Sequence, residues 1–370
     1  DYLYRVLEEK KLPYFEIIHT VLGRKMIKNL FARKRSAFYL EAVDFLAFPF
    51  VLKEKRRIYD MHKTTDENLF APEERELMKK LYTKYASSMV ISKARVAFFR
   101  YLLRASNVSD IYTIDDVRSI SELALAAQMQ GVSFTAIQHG HFTKYHVGWL
   151  TMTRIPGKII AARKLLVWSE FWKQELLRLS TYFSPDQIII SGEKSLFVPV
   201  QKTHDEKISV LFPYEKNAPK AEIFRYLEEL MKYSNIELCF KLRPDEDKQT
   251  QIDLYGLAPF LSKITLVRDI RDVLPRVDVV IGTYSSFLYD MVALERPVLI
   301  LETSIDYGEG MIENTLAGRL LYGDDIYRAI KDASETPQEI LVERREKLVG
   351  KKPLLLEDTL KEIISKDCRH

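Results

Sequence analysis

The stretch DVVIGTYSSFLYDMVALERPVLI, residues 278–300, decides the fold of this chain. Its pattern predicts a strand, a short hydroxyl-rich loop, an amphipathic helix and a second strand. These occupy, in turn, residues 278–281, 282–286, 287–294 and 297–301. Because the helix begins directly after the first strand, its N-terminus points at whatever lies beyond that strand. Its unpaired N–H groups and the positive end of its dipole favour a phosphate there.

Five residues of this stretch are predicted to bind a phosphorylated ligand: Gly282, Thr283, Ser285, Ser286 and Asp290. Ser286 and Asp290 are one helical turn apart and share a face, which suits a hydroxyl on a phosphate and a carboxylate on a sugar hydroxyl. The alternative is structural, because serine often caps a helix without binding a ligand. Neither Ser285 nor Ser286 is followed three residues later by a capping-box acid, which weakens that alternative.

Length and composition indicate an ordinary globular protein of two domains. At 370 residues the chain exceeds the size at which one hydrophobic core usually keeps growing. Hydrophobic residues make up 47% and charged residues 29%, which argues against disorder. No apolar run approaches the roughly 20 residues that span a bilayer, and the first residues lack the apolar core of a signal peptide. Cys239 and Cys368 provide no disulfide framework, so we expect a reducing, cytoplasmic location.

The first third of the chain is basic. Residues 1–104 hold 22 Lys/Arg against 13 Asp/Glu, whereas the remainder holds 34 against 39. Clusters at 33–35 and 53–57 offer a surface for anionic lipid headgroups at the inner face of a membrane, which would make the protein peripheral there. Solvated helix faces are the alternative explanation of these clusters. No nucleic-acid-binding motif accompanies the charge, so nucleic acid is not an expected partner.

Strands and helices alternate from residue 110 onward, after a first hundred residues that are mostly helical. Strands are predicted at 111–114, 133–137, 165–168, 187–191, 208–212, 237–242, 264–266, 278–281 and 297–301, and helices at 72–85, 119–130, 170–179, 220–233, 270–276 and 287–294. Such alternation produces parallel sheets with helices on both faces. We therefore predict an α/β protein with a helix-rich N-terminal segment and two Rossmann-like domains, 1–200 and 205–370, facing across a cleft.

Polar clusters follow four of these strands directly, at the edge where ligands of such folds bind. They are Asp115-Asp116, Gln138-His139-Gly140, Lys241-Leu242-Arg243-Pro244 and Thr283–Ser286. Lys241 and Arg243 alternate along a strand end, so both point to one side and suit a pyrophosphate; a surface salt bridge is the alternative. Adjacent carboxylates such as Asp115 and Asp116 repel each other, which raises the pKa of one and suits a general base. A helix cap beside a solvated carboxylate is the alternative there.

Three of the seven histidines, His139, His141 and His146, lie within eight residues after a predicted strand. Gly140 permits a ligand to approach the backbone closely at this point. His139 is suited to hydrogen-bond a phosphate or sugar hydroxyl, or to transfer a proton near neutral pH; a purely structural role is the alternative. Because these histidines show no metal-ligand spacing and no acidic partners, no metal site is predicted.

Three segments resemble the GT-B glycosyltransferases of bacterial and archaeal surface-polysaccharide synthesis, a group that includes capsule, Kdo-, sialyl- and CDP-glycerol-transferring enzymes. The segments are IQHG at 137–140, KLRP at 241–244, where relatives often have Lys-x-His-Pro, and GTYSSFLYDMVALERPVLI at 282–300. The resemblance covers roughly residues 111–301. It implies an inverting, metal-independent transfer without a cofactor, in which the C-terminal domain binds a nucleotide-sugar donor and the N-terminal domain binds a glycan or lipid-linked acceptor.

The resemblance also implies roles for individual residues. Ser285 and Ser286 would hold the donor phosphate, Asp290 the ribose, and Asp116 or Asp115 would deprotonate the acceptor hydroxyl. The acceptor side of the cleft would include Gln138, Gly140, His141 and His146. Arg243 departs from the family pattern, because a permanently charged guanidinium cannot donate a proton to the leaving group. Two alternatives stay open: a nucleotide-sugar epimerase of the UDP-GlcNAc 2-epimerase type, and a non-catalytic nucleotide-binding scaffold.

Overall fold

The computed structural model describes most of the chain. The described residues are 2–18, 37–39, 47–51, 72–114, 121–142, 162–180, 183–193, 197–203, 206–243 and 246–367. Three predicted site residues, Asp115, Asp116 and His146, lie outside these ranges.

Helices and strands alternate through most of the described chain. The helices are α1 (Tyr2–Glu9), α2 (Pro72–Ala105), α3 (Ser121–Gln130), α4 (Glu170–Leu179), α5 (Lys220–Leu230), α6 (Lys248–Leu254), α7 (Ser286–Ala293), α8 (Glu309–Glu313), α9 (Ile326–Ser334), α10 (Gln338–Val349) and α11 (Leu356–Asp367). The strands are β1 (Glu16–Ile18), β2 (Ala37–Tyr39), β3 (Asp110–Thr113), β4 (Ser133–Ile137), β5 (Lys164–Val167), β6 (Ile188–Ile190), β7 (Ile208–Pro213), β8 (Ile236–Lys241), β9 (Ile264–Val267), β10 (Val279–Gly282), β11 (Val298–Leu301) and β12 (Gly318–Leu320).

The C-terminal half of the chain folds around a six-stranded sheet in which neighbouring strands are parallel. The strand order is β12-β11-β10-β7-β8-β9. The chain therefore runs outward from β7 through β8 to β9, then returns to place β10 on the other side of β7. Dinucleotide-binding Rossmann folds have this order, and their ligand crevice lies where the order reverses. In this sheet the reversal lies between β7 and β10.

Apolar residues on both faces make these strands central. Every residue of β10 and β11 is buried, as expected for a parallel sheet that helices cover on both faces. Helix α5 buries Ile223, Tyr226, Leu227 and Leu230, which is the i, i+3, i+4, i+7 stripe of an amphipathic helix. Because burial of one large apolar side chain contributes about 1.5 to 3 kcal/mol, this stripe holds α5 in the hydrophobic cluster that includes β7 and β8.

A second sheet has the order β3-β4-β5-β6. Its first strands pair in parallel, with Ile111 opposite Phe134. The long helix α2 packs against α3, where Glu122 accepts a hydrogen bond from the Ser92 hydroxyl at 2.7 Å and lies 3.6 Å from the Arg95 guanidinium. Strands β1 and β2 form a separate parallel pair.

Two compact units divide the chain: residues 1–139 with 153–166, and residues 140–152 with 167–370. The C-terminal helices hold residues 167–193 in the second unit. The Ser169 hydroxyl donates to the Leu348 carbonyl at 2.5 Å, and the Glu193 amide donates to the Leu354 carbonyl at 3.1 Å. The C-terminal end of the chain thus packs on a segment that lies far before it in sequence.

The predicted α/β class is confirmed, and each predicted strand begins and ends within one residue of its observed bounds. Two helix predictions are wrong in extent or type. Residues 270–276 form two short 3-10 turns, Ile270–Asp272 and Leu274–Arg276, because Pro275 lacks an amide and disfavours the helical conformation of the residue before it. The helix expected at 72–85 continues to Ala105, since no glycine or proline interrupts it. The domain boundaries 1–200 and 205–370 stay a prediction.

Candidate functional site

The carboxyl ends of β7 and β10 meet at the reversal of the strand order, which is where a Rossmann sheet opens a ligand crevice. The loop from β7 into α5 starts there with Tyr214 and Glu215, and the loop from β10 into α7 starts with Thr283. Both loops belong to the second unit. The helix N-terminus predicted at Ser285 is observed, because Ser285 caps α7 and its hydroxyl accepts a hydrogen bond from the Phe287 amide at 3.3 Å.

Glu215 joins the two loops. Its carboxylate is buried and accepts hydrogen bonds from three consecutive amides. The distances are 2.9 and 3.1 Å from Thr283, 2.9 Å from Tyr284 and 2.8 Å from Ser285. The Thr283 hydroxyl donates a further bond at 2.5 Å. Successive amides that point into one concavity form an anion-binding nest, and here an anion of the protein itself occupies it.

The backbone of Glu215 is held separately from its carboxylate. The buried Tyr255 hydroxyl donates to the Glu215 carbonyl at 2.7 Å and accepts from the Glu215 amide at 3.3 Å. The Lys220 ammonium donates to the same carbonyl at 3.0 Å. Burial raises the pKa of the Glu215 carboxyl, and the hydrogen bonds from residues 283–285 oppose that rise. Because its carboxylate accepts hydrogen bonds from one loop while its backbone belongs to the other, Glu215 serves as a fixed connection between the two loops.

This connection bears on the predicted use of the loop amides for a phosphate, which stays a prediction. The amides of Thr283, Tyr284 and Ser285 are engaged by Glu215, so a ligand phosphate cannot share them while that contact persists. The predicted structural role of Ser285 as a cap is observed. Ser286 is the first residue of α7 and its side chain is exposed; among the described residues neither its amide nor its hydroxyl has a hydrogen-bond partner. Ser286 is therefore the residue of this loop best placed to meet a ligand.

Gly282 is required where the two loops approach each other. A Cβ at this position would lie 2.9 Å from Leu288 Cδ2 and 3.2 Å from Glu215 Oε1. Both are shorter than ordinary contacts, and Leu288 is fully buried. The glycine thus permits the close approach of the Glu215 carboxylate to the end of β10.

The buried side chain of Gln251 also fixes the backbone of the loop after β8. The buried Gln251 side chain accepts from the Arg243 amide at 2.7 Å and donates to the carbonyls of Arg243 and Glu246 at 2.9 and 3.0 Å. Arg243 is exposed, whereas Lys241 at the end of β8 is partly buried. Glu246 in turn accepts from the Tyr214 hydroxyl at 2.8 Å. The predicted cationic pair is therefore carried on a backbone with a defined conformation.

Lys241 and Asp290 interact electrostatically beside the first turn of α7. The Lys241 ammonium lies 4.9 Å from the centroid of the Phe287 ring. Burial lowers the pKa of Lys241 and raises that of Asp290 to about 6, and each group partly offsets the shift of the other. No hydrogen bond to the Asp290 carboxylate is formed by any described residue. A partly buried carboxylate with a displaced pKa beside a cationic side chain is typical of functional sites.

The histidine motif divides between the units. Gln138 is fully buried and His139 is exposed, both at the end of β4 in the first unit. His141 belongs to the second unit, where its ring lies 5.3 Å from that of Tyr289 on α7 and 6.5 Å from that of Trp172 on α4. Gly140, between them, is partly buried. His141 therefore packs against aromatic side chains, and its predicted place on the acceptor side of the cleft stays a prediction.

Sequence reasoning missed Glu215, although its position held a signal. Glu215 follows β7 at the carboxyl edge, where the other four clusters were sought, but a single acid between Tyr214 and Lys216 forms no motif. Its partners lie 68 to 70 residues away. Only the adjacency of β7 and β10 brings them together.

The described part of the chain contains neither a metal-binding cluster nor a membrane-spanning helix. No group of three or more His, Cys, Asp or Glu residues there is arranged to hold a metal ion. No helix there is long and apolar enough to cross a membrane.

Comparison with known proteins supports the fold and places a family segment on the site. Residues 213–314 match the family described as CDP-Glycerol:Poly(glycerophosphate) glycerophosphotransferase. This segment is just over a quarter of the chain and includes Glu215, Lys241, Arg243, Ser286 and Asp290. No curated protein matches the chain in sequence.

Solved structures with a similar fold share little sequence with the chain. A UDP-N-acetylglucosamine 2-epimerase is 12% identical with a TM-score of 0.53, over 99% of this chain and 90% of that one. The UDP-GlcNAc 2-epimerase of Methanocaldococcus jannaschii is 11% identical, with a TM-score of 0.49 over 100% and 95% of the two chains. The lipopolysaccharide outer core galactosyltransferase WaaB is 15% identical, with a TM-score of 0.47 over 75% and 81%. At such identities the likeness concerns the fold alone. The predicted GT-B fold class is thereby confirmed. The family segment at 213–314 supports the resemblance to surface-polysaccharide transferases and the predicted transferase class across just over a quarter of the chain.

Proposed function

We propose that this chain is an inverting, metal-independent transferase that moves a sugar or a related group from a nucleotide-activated donor to a glycan or glycolipid acceptor in surface-polysaccharide synthesis. The observation that carries the proposal is the position of the family segment. Residues 213–314 contain every loop at the reversal of the strand order, together with the cationic pair and Asp290. The family description makes CDP-activated donors the first to test.

The donor would bind in the second unit with its phosphate at Ser286. The exposed Ser286 hydroxyl and amide are hydrogen-bond donors at the positive end of the α7 dipole. Lys241 and Arg243 would neutralise the charge that develops on the leaving phosphate, which is the task that a divalent ion performs in other transferases. Asp290, which interacts electrostatically with Lys241 and accepts no hydrogen bond from the described residues, would bind a ribose hydroxyl.

The acceptor would bind to residues of the strand ends in the N-terminal sheet. Asp116, or its neighbour Asp115, would remove the proton from the acceptor hydroxyl, and the exposed His139 would hydrogen-bond the acceptor or assist proton transfer. We propose a cytoplasmic protein, with the basic first third of the chain as a peripheral contact to anionic lipid.

Nucleotide binding is the first test of this proposal. A thermal-shift screen of the purified protein against CDP, CMP, UDP, GDP and dTDP, with the corresponding activated sugars and CDP-glycerol, should show a selective rise in melting temperature, because a ligand that binds only the folded state stabilises it. A shift with no member of the set would contradict a nucleotide-dependent activity. Turnover of a sugar nucleotide with no acceptor present would instead identify an epimerase.

Asp116→Asn then tests the chemistry. We expect the substitution to abolish transfer and to change the donor affinity by no more than a few-fold, since Asp116 is assigned to the acceptor side. Asp110→Asn is a matched control, because Asp110 begins β3, at the opposite end of the strand that precedes Asp116. An Asp116→Asn protein with full transferase activity would remove this residue from the role of base.

A further inference from the structure

The amide nest at the start of α7 is unusual because it already contains an anion. Three successive N–H groups and one hydroxyl, all from residues 283–285, converge on the Glu215 carboxylate within 2.5 to 3.1 Å. In phosphate-binding loops the same arrangement of amides receives the ligand. Here Glu215 and Thr283 are buried, and Tyr284 and Ser285 are partly buried.

The carboxylate also fixes where the rest of the loop can point. With the amides of residues 283–285 turned towards Glu215, the chain enters α7 with the Ser286 side chain exposed. The Glu215 backbone is independently anchored by Tyr255 and Lys220. On the other side of the loop, Gly308 packs so closely against Thr283 that a Cβ at position 308 would clash with the Thr283 carbonyl oxygen.

We propose that Glu215 is a built-in anion that positions the 283–286 loop for donor binding, and that the donor phosphate binds outside the nest, at Ser286. The second part rests on the proposed function, whereas the first does not. Glu215 touches neither donor nor acceptor in this arrangement and is therefore a positioning residue. Its negative charge also offsets part of the positive potential of the α7 N-terminus, so the donor phosphate depends on Lys241 and Arg243 for its counter-charge.

Removal of the carboxylate should convert the nest into a site for a small external anion. In Glu215→Ala three amides and a hydroxyl lose their acceptor, and we expect the melting temperature to fall by about 6 °C or more. Formate or acetate should then raise the melting temperature of the variant in a saturable way at constant ionic strength, with chloride as the reference salt. The wild-type protein, whose nest is full, should show no such rise.

Glu222→Ala is a matched control. The Glu222 carboxylate accepts hydrogen bonds from the amide and hydroxyl of Ser304, both at 2.6 Å, on a neighbouring loop of the same sheet edge. This site is exposed and provides one amide rather than three, so Glu222→Ala should show no stabilisation by formate. Equal responses of wild type, Glu215→Ala and Glu222→Ala to formate would overturn the proposed occupation of the nest.

The positioning role has its own readout. Glu215→Gln preserves shape but removes the negative charge and replaces one accepting oxygen with an NH2 donor, which would face the Thr283 amide if the other oxygen keeps its three amide contacts. It should therefore raise the donor KM by about tenfold or more, as for a lost hydrogen bond to a charged group. Formate should restore the donor KM of Glu215→Ala towards the wild-type value, an effect that a merely structural contact would not produce. A Glu215→Ala protein that binds formate but keeps the wild-type donor KM would refute the positioning role.

Hydrogen exchange of the wild-type protein keeps the proposal testable if the alanine variant does not fold. The amides of Thr283, Tyr284 and Ser285 should be protected without any ligand, although they precede a helix, and rapid exchange would contradict the engagement of the nest by Glu215. If the wild-type protein binds no nucleotide, the proposed function fails, but the formate and exchange measurements still decide whether Glu215 fills the nest.

Discussion

Asp290→Asn should stabilise the folded protein above pH 6 and have little effect below pH 4. Burial raises the pKa of this carboxyl from its ordinary 3.8 to about 6, and the nearby Lys241 only partly opposes the rise. The folded protein therefore keeps the proton up to about pH 6, whereas the unfolded chain loses it near pH 4. Folding takes up a proton between these values, so the contribution of Asp290 to stability falls as pH rises through this window and is constant above it.

The magnitude follows from the two pKa values. Each pKa unit corresponds to 1.36 kcal/mol, so the ionised Asp290 destabilises the folded state by at most about 3 kcal/mol above pH 6. The side chain retains some contact with water, which reduces this figure. Asparagine has nearly the same shape and cannot ionise, and no hydrogen bond of a described residue to the carboxylate is lost. A gain of about 1 to 3 kcal/mol is expected at pH 7.5.

Urea denaturation at a series of pH values between 4 and 8 measures the effect. The quantity to compare is the difference in unfolding free energy between variant and wild type, because the other carboxyls titrate equally in both. Asp332→Asn is a suitable control, since Asp332 is exposed on α9 and lies 3.8 Å from Arg328. If the difference in unfolding free energy between Asp290→Asn and wild type stays constant from pH 4 to pH 8, the raised pKa assigned to Asp290 is wrong. A stabilised variant with weaker donor binding would show that the charge is kept for function.

Three further predictions concern the loop, the phosphate and the basic surface. Gly282→Ala should destabilise the protein by about 1 to 3 kcal/mol in urea denaturation and weaken nucleotide binding, because the added Cβ would clash with Leu288 and the Glu215 carboxylate. Gly310→Ala is the control, because a Cβ there would have nothing within 4 Å, and equal stability of the two variants would contradict the prediction. Ser286→Ala should weaken nucleotide binding by about 1 kcal/mol or more in calorimetry, whereas unchanged affinity would move the phosphate elsewhere. In liposome sedimentation the protein should sediment with vesicles that contain anionic lipid, and the bound fraction should fall as the salt concentration is raised. A bound fraction that depends on neither lipid charge nor salt would identify residues 1–104 as a solvated surface.

The strands and the strand ends could be predicted because their causes are local. A run such as Val279–Gly282 is short and apolar on both faces, it ends in a glycine, and hydroxyl residues follow it. The same local signals placed the start of α7 within one residue, whereas the cap by Ser285 was only the alternative to phosphate binding. The length of helix α2 was underestimated. The helix continues past Tyr85 because no glycine or proline follows there to end it. Prediction succeeded where sequence neighbours determine the conformation.

The occupied nest could not be predicted, because its cause is the order of strands. Glu215 meets residues 283–285 only if β10 returns beside β7 rather than pairing with β9, which precedes it in sequence. Nothing in the sequence around Glu215 distinguishes it from a solvated loop acid. The same holds for Gln251, which lies eight residues after Arg243 yet fixes its backbone. Contacts that hold a site in place depend on topology more than on motif.

The two acids of the candidate site, Glu215 and Asp290, differ in how many hydrogen bonds the protein itself provides to them. Burial raises the pKa of both carboxyls. Glu215 accepts hydrogen bonds from three amides and a hydroxyl, which oppose that rise before any ligand arrives. Asp290 accepts no hydrogen bond from the described residues, and the charge of Lys241 opposes its rise. A hydroxyl donor of a ligand would oppose the rise further and lower the pKa of Asp290. Of the two carboxylates, Asp290 is therefore the one that a hydrogen bond from a bound sugar would stabilise most, whereas Glu215 already receives its hydrogen bonds from the protein.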